Sequence, residues 1–156
     1  MAHVSNLFIA VEHRKPMKAV DQATAVANRG FEGCIHGRHG SKRQVLLVDT
    51  ETLAKFGLEP GIVRENITTV GLDVAELEVG QRLAIGGAVF EVTIPCEPCH
   101  QMDEIRMGLQ EELRGRRGWL CRVKEGAVIR RGDRIEVMAA AVANEVTKDV
   151  EARASK

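Results

Sequence analysis

Short apolar runs separated by glycine and proline turns dominate the hydrophobic pattern of this chain. Such runs are typical of β-strands. The first run covers residues 4–11. Pro16 follows shortly after it and prevents a longer strand, because proline cannot donate a hydrogen bond to a strand ladder. Residues 43–48 form a second run that is almost continuously apolar after its first two positions. This pattern predicts a strand that is buried on both faces.

The middle and the end of the chain contain four more predicted strands. Residues 82–85 and 88–94 flank the pair Gly86-Gly87, and two glycines between two apolar runs predict a β-hairpin. Residues 119–123 and 134–138 are two further strand-like runs, which turns containing Gly126 and Gly132 separate.

Two segments have helical signals instead. Asp49 is a favourable N-cap for a short helix over residues 50–56, and Gly57 can end that helix in a left-handed conformation. In residues 101–113, apolar side chains recur at spacings of three, four and four, which places them on one face of a helix; they are Met102, Ile105, Leu109 and Leu113.

Short strands with many glycine turns and only two short helices predict a mostly β fold, either a barrel or a sandwich. The chain has 156 residues, which is enough for one domain with a hydrophobic core. We assign residues 1–138 to this domain. Residues 139–156 are rich in alanine and charge, and we expect them to form a tail or a short helix.

The composition excludes several classes of function. Lys+Arg and Asp+Glu both number 22, so no net field attracts nucleic acid or an acidic membrane. The chain has no Tyr and one Trp, too few aromatic residues to stack nucleobases. No apolar run approaches the length of a bilayer, and the N-terminus lacks the pattern of a signal peptide. We therefore expect a cytoplasmic protein with reduced cysteines, either a monomer or a homodimer.

The segment Pro95–His100 contains the sharpest candidate site, because Cys96 and Cys99 lie three residues apart and each directly follows a proline. If Cys99 starts the following helix, the helix dipole favours its thiolate, which is the form that acts as nucleophile or metal ligand. Cys-x-x-Cys-His also matches the attachment motif of c-type haem, but haem attachment needs export. Zinc binding with Cys34, Cys121 or a histidine is another alternative, although the second half of a zinc motif is missing. Both cysteines can also be plain core residues.

Cationic side chains near glycines form the second candidate site. The loop over residues 29–41 contains four glycines, and Arg38 and Arg43 can hold an anion beside it. His36 in this loop is either a ligand contact or a structural residue. Arg64 and Asn66 follow a Pro-Gly turn, and Asn66 either binds a heterocycle or completes backbone hydrogen bonds. Arg117 is a further candidate clamp for a phosphate.

Taken in order, these motifs resemble the MOSC domain family, named for the C-terminal domain of molybdenum cofactor sulfurases. The resemblance extends from about Val4 to Val137. Its elements are Gly33-x-x-His36-Gly37, Arg43-Gln44-Val45, Pro60-Gly61, Glu65-Asn66-Ile67-Thr68, Leu77-x-x-Gly80, Gly86 to Val92, Pro98-Cys99, Arg117-Gly118, Arg122-Val123, Gly126 and Gly132-Asp133. Each motif is weak alone, and their order and spacing make the match specific.

The resemblance implies a β-barrel with a few short helices and a cleft that holds a molybdenum–pterin cofactor. The essential family cysteine falls on Cys99, as catalytic residue and molybdenum ligand. The implied cofactor-binding residues are His36, Arg38, Arg43, Arg64, Asn66 and Arg117. Where the family usually has Asp, this chain has Cys34, a second candidate metal ligand.

The resemblance also implies the reaction. We expect reduction of small N-hydroxylated substrates, with electrons from a separate redox partner. One alternative is a non-enzymatic sulfur carrier that holds a persulfide on Cys99 and exchanges sulfur with donor and acceptor proteins. A zinc-binding or purely structural barrel is the other. We expect no nucleic-acid or membrane partner.

Overall fold

The structure is a computed structural model that describes residues 1–99, 101–116 and 118–138. The expected tail at residues 139–156 lies outside this range. In chain order the elements are β1 His3–Ile9, β2 Lys18–Val20, β3 Gln22–Val26, β4 Gly30–Phe31, β5 Val45–Asp49, α1 Thr50–Lys55, β6 Ile67–Val70, a 3₁₀ turn Val74–Glu76, β7 Arg82–Ile85, β8 Ala88–Pro95, α2 Gln101–Ile105, α3 Leu109–Glu112, β9 Trp119–Glu125, β10 Ala127–Arg130 and β11 Ile135–Val137.

The strands form one large sheet and one small sheet. The large sheet has the order β11-β7-β8-β9-β5-β6-β1-β2, and the small sheet has the order β10-β3-β4. Neighbouring strands are antiparallel except β5 and β6, which are parallel. The expected mostly β architecture with a few short helices is therefore confirmed.

The large sheet is not closed into a barrel, which corrects part of the sequence-based expectation. Its two ends approach each other at a single bridge between His3 and Arg134, next to backbone hydrogen bonds such as Val4 N to Asp133 O at 2.8 Å. Part of the edge of β1 is not available for closing the sheet, because its residues Leu7–Ile9 pair with β2. Strand β11 has only three residues. It pairs with β7 and does not continue the ladder along β1.

Strand β5 shows how the sheet separates two cores. All five of its residues are buried, as predicted from its continuous apolar run. Val45 and Leu47 point into the larger cluster, whereas Leu46 and Val48 point into the smaller one, because successive side chains of a strand face opposite sides. We call the larger cluster the main core. The smaller cluster is the helix-side core, since it includes Leu53, Met102, Leu109 and Leu113 from the helical segments.

Two local predictions are confirmed in detail. The hairpin of β7 and β8 turns at Gly86, whose φ is 57°. The helix α1 begins after Asp49, whose side chain accepts a hydrogen bond from Thr52 N, and Gly57 follows its end with φ of 68°. Five strands lay outside the predicted set: β2, β3, β4, β6 and β10.

The prediction of one helix over residues 101–113 is wrong. The segment forms two short helices, α2 and α3, separated at Gly108, which has φ of 88°. A left-handed residue interrupts helical hydrogen bonding, and the adjacent Met107 is 91% exposed. The apolar face persists across the break, because Met102, Leu109 and Leu113 are all buried. Among the described residues, no helix is long and apolar enough to span a membrane.

Candidate active site

Cys99 lies in the connection between β8 and α2. The backbone of this connection is held at both ends: Cys96 N donates to Gly118 O and Met102 N donates to Cys99 O, each at 2.9 Å. Cys99 is partly exposed, and its thiol donates a weak hydrogen bond to Gln101 Oε1 at 3.9 Å. Because α2 has only five residues, the helix-dipole argument for a Cys99 thiolate has little support. The partial exposure of the Cys99 thiol does not depend on that argument.

Cys99 opens onto a cleft of about 430 Å³, which lies within the size range of small-molecule sites. The cleft brings together six residues that the sequence selected, namely His36, Arg38, Arg43, Arg64, Asn66 and Cys99. Arg117, the seventh, lies outside the described residues. Leu46, Cys96 and Leu120 of the helix-side core also line the cleft. Part of that core therefore borders the cleft. Binding roles for these residues stay predictions.

The glycine-rich loop reaches the cleft because the buried Gln44 fixes it. The Gln44 side chain donates to Arg38 O at 3.2 Å and accepts from Val123 N at 2.9 Å, so the loop is connected to β9. Two glycines allow the close packing that this requires. A Cβ on Gly30 would lie 3.0 Å from Gln44 O, and a Cβ on Gly37 would lie 3.0 Å from Arg29 O. Substitution at either glycine would push the loop outward.

Three arginines give the cleft its charge. Arg38 and Arg43 are exposed and Arg64 is partly buried. The ion pairs found in the described parts of the chain involve other arginines, and no described Asp or Glu lines the cleft. A group of guanidinium ions without acidic partners favours an anionic ligand, since each can form a forked pair with phosphate or carboxylate.

Arg64 reaches the cleft from an unusual backbone conformation. Its φ is 66°, in the left-handed region that a residue with a side chain rarely adopts. The preceding turn includes Gly61 with φ of 92°, and Arg64 N donates to Gly61 O at 3.0 Å. The Arg64 guanidinium donates to Lys15 O, which fixes the side chain between the turn and the loop that follows β1. Strain of this kind concentrates at functional sites.

Asn66 has a structural role that its hydrogen bonds explain. Its Oδ1 accepts from Leu46 N at 2.9 Å, and its Nδ2 donates to Phe8 O at 3.2 Å. Asn66 therefore connects β5 and β1 at the point where β6 begins between them. Only 1% of the residue is exposed, and both of its Nδ2 donors have protein partners. The structure favours backbone satisfaction over heterocycle recognition at this position.

The structure does not bring Cys34 into the cleft, which corrects the expectation of a second thiol near Cys99. Cys34 packs in the main core, where Ala10 N and Asn66 Nδ2 donate to its Sγ, both at 3.4 Å. These donors keep its sulfur inside the protein. A role for Cys34 as a metal ligand has no geometric support.

The other two cysteines differ from Cys99 in exposure. Cys121 is 1% exposed in the main core, and burial, together with the nearby carboxylate of Glu91, raises its pKa from 9.0 to about 12. Cys96 is buried at the cleft wall, with 4% exposure. Among the described residues, no group of three or more His, Cys, Asp or Glu side chains could hold a metal ion. The zinc alternative therefore gains no support from the described residues.

Sequence reasoning missed three polar residues of the cleft, which are His13, Ser41 and Gln101. His13 lies between the first predicted strand and Pro16, where the sequence contains no recognisable site motif. Gln101 has a usable signal, because it follows the Cys-x-x-Cys segment at the start of a predicted helix. The side chain of Ser41 bonds to the loop backbone, since its Oγ accepts a hydrogen bond from Arg43 N at 2.9 Å. No local pattern indicates that His13 comes close to a cysteine that lies 86 positions further along.

Comparison with known proteins identifies one matching family and several solved structures with a similar fold. The family model for the MOSC domain matches residues 35–136. The crystal structure of the YUAD protein from Bacillus subtilis has a TM-score of 0.72 and 21% identity, covering 87% of this chain and 94% of that one. YiiM from Geobacillus stearothermophilus has a TM-score of 0.73 and 17% identity, covering 91% and 77%. YiiM from Escherichia coli has a TM-score of 0.70 and 18% identity, covering 89% and 70%. No curated protein gives a significant match.

Proposed function

This chain belongs to the MOSC domain family, and on that premise we propose that it binds a molybdenum–pterin cofactor through Cys99 and reduces small N-hydroxylated compounds. The electrons come from a separate redox protein. The observation that carries the proposal is the shared cleft: the partly exposed thiol of Cys99 faces the same space as Arg38, Arg43 and Arg64.

The residues of the cleft fit such a cofactor in two respects. A cysteine thiolate is a soft ligand, which suits molybdenum. The arginines suit the phosphate that the pterin carries, because guanidinium ions bind phosphate through paired hydrogen bonds. A single protein thiol is sufficient in this arrangement, so the proposal does not depend on a cluster of metal-binding side chains. The cleft volume of about 430 Å³ agrees with a small-molecule ligand.

The chain's own residues have separate tasks in this proposal. Cys99 provides the protein ligand and the arginines orient the phosphate. Gln44 holds the loop that carries Arg38, and Asn66 connects β5 to β1 beside the cleft. A bound molybdenum centre would supply two-electron redox chemistry. The net reaction would combine R–NH–OH with two electrons and two protons, break the N–O bond, and yield R–NH₂ and water.

A second function has one specific observation in its favour. Cys96 and Cys99 line the same cleft, and two neighbouring thiols suit sulfur transfer. In that function the Cys99 thiolate attacks the sulfane sulfur of a donor persulfide, the donor leaves as a thiolate, and Cys99 carries the new persulfide. No bound metal is needed.

Elemental analysis separates the two functions. Protein made in a host that synthesises the cofactor is purified and assayed for molybdenum, zinc and cysteine persulfide. We expect close to one molybdenum per chain in the wild type and less than a tenth of that in Cys99→Ser, because serine is a poor soft ligand. A folded wild type that holds neither molybdenum nor pterin would contradict the proposal. A persulfide on Cys99 without molybdenum would establish the sulfur carrier instead.

A further inference from the structure

A separate cavity, which we call the tryptophan pocket, lies at the end of β8 and the start of β9. Its volume is about 510 Å³, within the size range of small-molecule sites. Pro95 and Trp119, which are paired across these two strands, both line it. Cys96 is the only described residue that lines both this pocket and the cleft. The tryptophan pocket is therefore a different cavity from the cleft.

Backbone contacts hold the walls of the tryptophan pocket together. Gly118 has φ of 111° and packs so closely on Leu47 O that a side chain would not fit. Its carbonyl accepts a hydrogen bond from Cys96 N at 2.9 Å. The other walls come from α1 and from the 3₁₀ turn. The Trp119 indole donates to Val74 O of that turn at 2.9 Å, and this bond fixes the orientation of the indole at the pocket.

The tryptophan pocket contains both aromatic side chains of the chain that keep partial exposure. The chain has four Phe and one Trp. Phe8, Phe31 and Phe90 are buried, whereas Phe56 and Trp119 are partly exposed and line the pocket. Aromatic rings pair with other rings in stacked or edge-on arrangements. The pocket therefore favours a planar aromatic group.

Two cations and one carboxylate also line the tryptophan pocket: Lys55, Arg116 and Glu97. The Arg116 guanidinium carbon lies 5.9 Å from the centre of the Phe56 ring, so one cation lies next to an aromatic face. The ion pairs found in the described residues involve neither Lys55 nor Arg116. The formal charges leave one positive charge in excess, which favours a ligand with a single anionic group.

We propose that the tryptophan pocket is a second ligand site, which binds a planar aromatic molecule that carries one carboxylate. The ring of this ligand packs against Trp119 and Phe56. Its carboxylate pairs with Lys55 and Arg116. The inference is independent of the proposed reductase function, because binding in this pocket needs neither Cys99 nor the arginines of the cleft.

Intrinsic fluorescence tests the site directly, because Trp119 is the only Trp and the chain has no Tyr. The probe is benzoate, and the Trp119 emission is excited at a wavelength that benzoate does not absorb. We expect a saturable change in emission with a dissociation constant below about 10 mM, a modest affinity for a molecule of this size. Saturation-transfer NMR detects benzoate binding independently. No binding, or binding without a change in Trp119 emission, would overturn the proposal.

Two analogues of benzoate test the ligand class. Benzamide lacks the charge and should bind about tenfold more weakly, since two exposed ion pairs contribute up to about fivefold each. Cyclohexanecarboxylate keeps the charge but has no aromatic ring, and it should bind about threefold more weakly, because contacts between aromatic rings contribute roughly two- to tenfold. Equal affinity for benzoate and benzamide would overturn recognition of the carboxylate. Equal affinity for benzoate and cyclohexanecarboxylate would overturn the preference for an aromatic ring.

Substitutions locate the carboxylate. Arg116→Gln and Lys55→Gln should each weaken benzoate binding about threefold, as expected for exposed ion pairs. Arg130→Gln is the matched control, because Arg130 is likewise exposed and lines neither the tryptophan pocket nor the cleft. Circular dichroism checks the fold of each variant. If Arg43→Gln weakened benzoate binding and folded Arg116→Gln did not, the anion would lie in the cleft and the proposal would be wrong.

Discussion

The two faces of the large sheet differ although the same strands build both. On β9, Cys121 points into the main core, and its neighbour Leu120 points into the helix-side core. The main core has the small sheet against it and excludes water from Cys121. The helix-side core is covered by short helices and opens at one end, where Leu46, Cys96 and Leu120 line the cleft. The small sheet covers one face, whereas the cover of the other face is incomplete and leaves the cleft beside it.

The thiols make this difference measurable. Cys121 is fully enclosed and its pKa is raised to about 12, whereas Cys99 is partly exposed at the cleft. The thiolate, not the thiol, reacts with alkylating agents. The reactivity and the ionisation of these two cysteines therefore test whether the two sides of the sheet differ in solvent access.

The largest expected effect is on alkylation by iodoacetamide at neutral pH. Raising the pKa of Cys121 from 9.0 to about 12 lowers its thiolate fraction about a thousandfold, and burial blocks access as well. We expect Cys99 to react at least a thousand times faster than Cys121, as measured by peptide mass spectrometry over time. In urea all four cysteines should react. Comparable rates for Cys99 and Cys121 in the folded protein would contradict the structure.

The same raised pKa predicts a loss of stability in alkaline solution. Below pH 9 both the folded and the unfolded chain keep the Cys121 proton. Above it the unfolded chain releases the proton and the folded chain retains it, so the free energy of unfolding falls by roughly 1 kcal/mol per pH unit until about pH 12. Cys121→Ala should lack this component, because it has no thiol to ionise. Urea unfolding at several pH values gives both slopes, and equal slopes would show that the pKa is not raised.

The third effect concerns the support beneath the cleft. Asn66→Ala removes the partners of Leu46 N and Phe8 O, two buried backbone groups. We expect a loss of about 3 kcal/mol in the free energy of unfolding, since each unsatisfied buried group costs about 1–3 kcal/mol. Urea denaturation measures the loss. A change below about 1 kcal/mol would mean that Asn66 does not hold β5 and β1 together.

Features that depend on neighbouring residues were predictable from the sequence. The strand β5 follows from an unbroken apolar run, α1 from the cap at Asp49, and the β7–β8 hairpin from its glycine pair. The motifs around His36, Arg43, Arg64 and Cys99 also selected residues that the structure places in one cleft.

Features that depend on distant residues were not predictable. The backbone groups that bond to the Asn66 side chain lie 20 and 58 positions away. No local pattern distinguishes an asparagine that connects strands from one that binds a ligand. The incomplete closure of the large sheet also depends on distant residues, because β2 pairs with Leu7–Ile9 of β1 and the other end of the sheet reaches β1 only at His3. The helix break at Gly108 was missed because the apolar spacing continues across it.

The smallest expected effect comes from the exposed arginines of the cleft, and it separates ligand binding from stability. Arg43→Gln removes one unpaired guanidinium and should weaken binding of inorganic phosphate about tenfold at low salt, because charged hydrogen bonds contribute roughly 1.5–3 kcal/mol before screening. The free energy of unfolding should change by less than about 0.5 kcal/mol, as is usual for surface positions. Arg130→Gln is the matched control, since Arg130 is equally exposed and lies outside the cleft. Titration followed by phosphorus NMR measures the binding. Equal phosphate affinity in the two variants would mean that Arg43 plays no part in holding an anion, and the cleft would then lose the electrostatic argument for a phosphate-bearing cofactor.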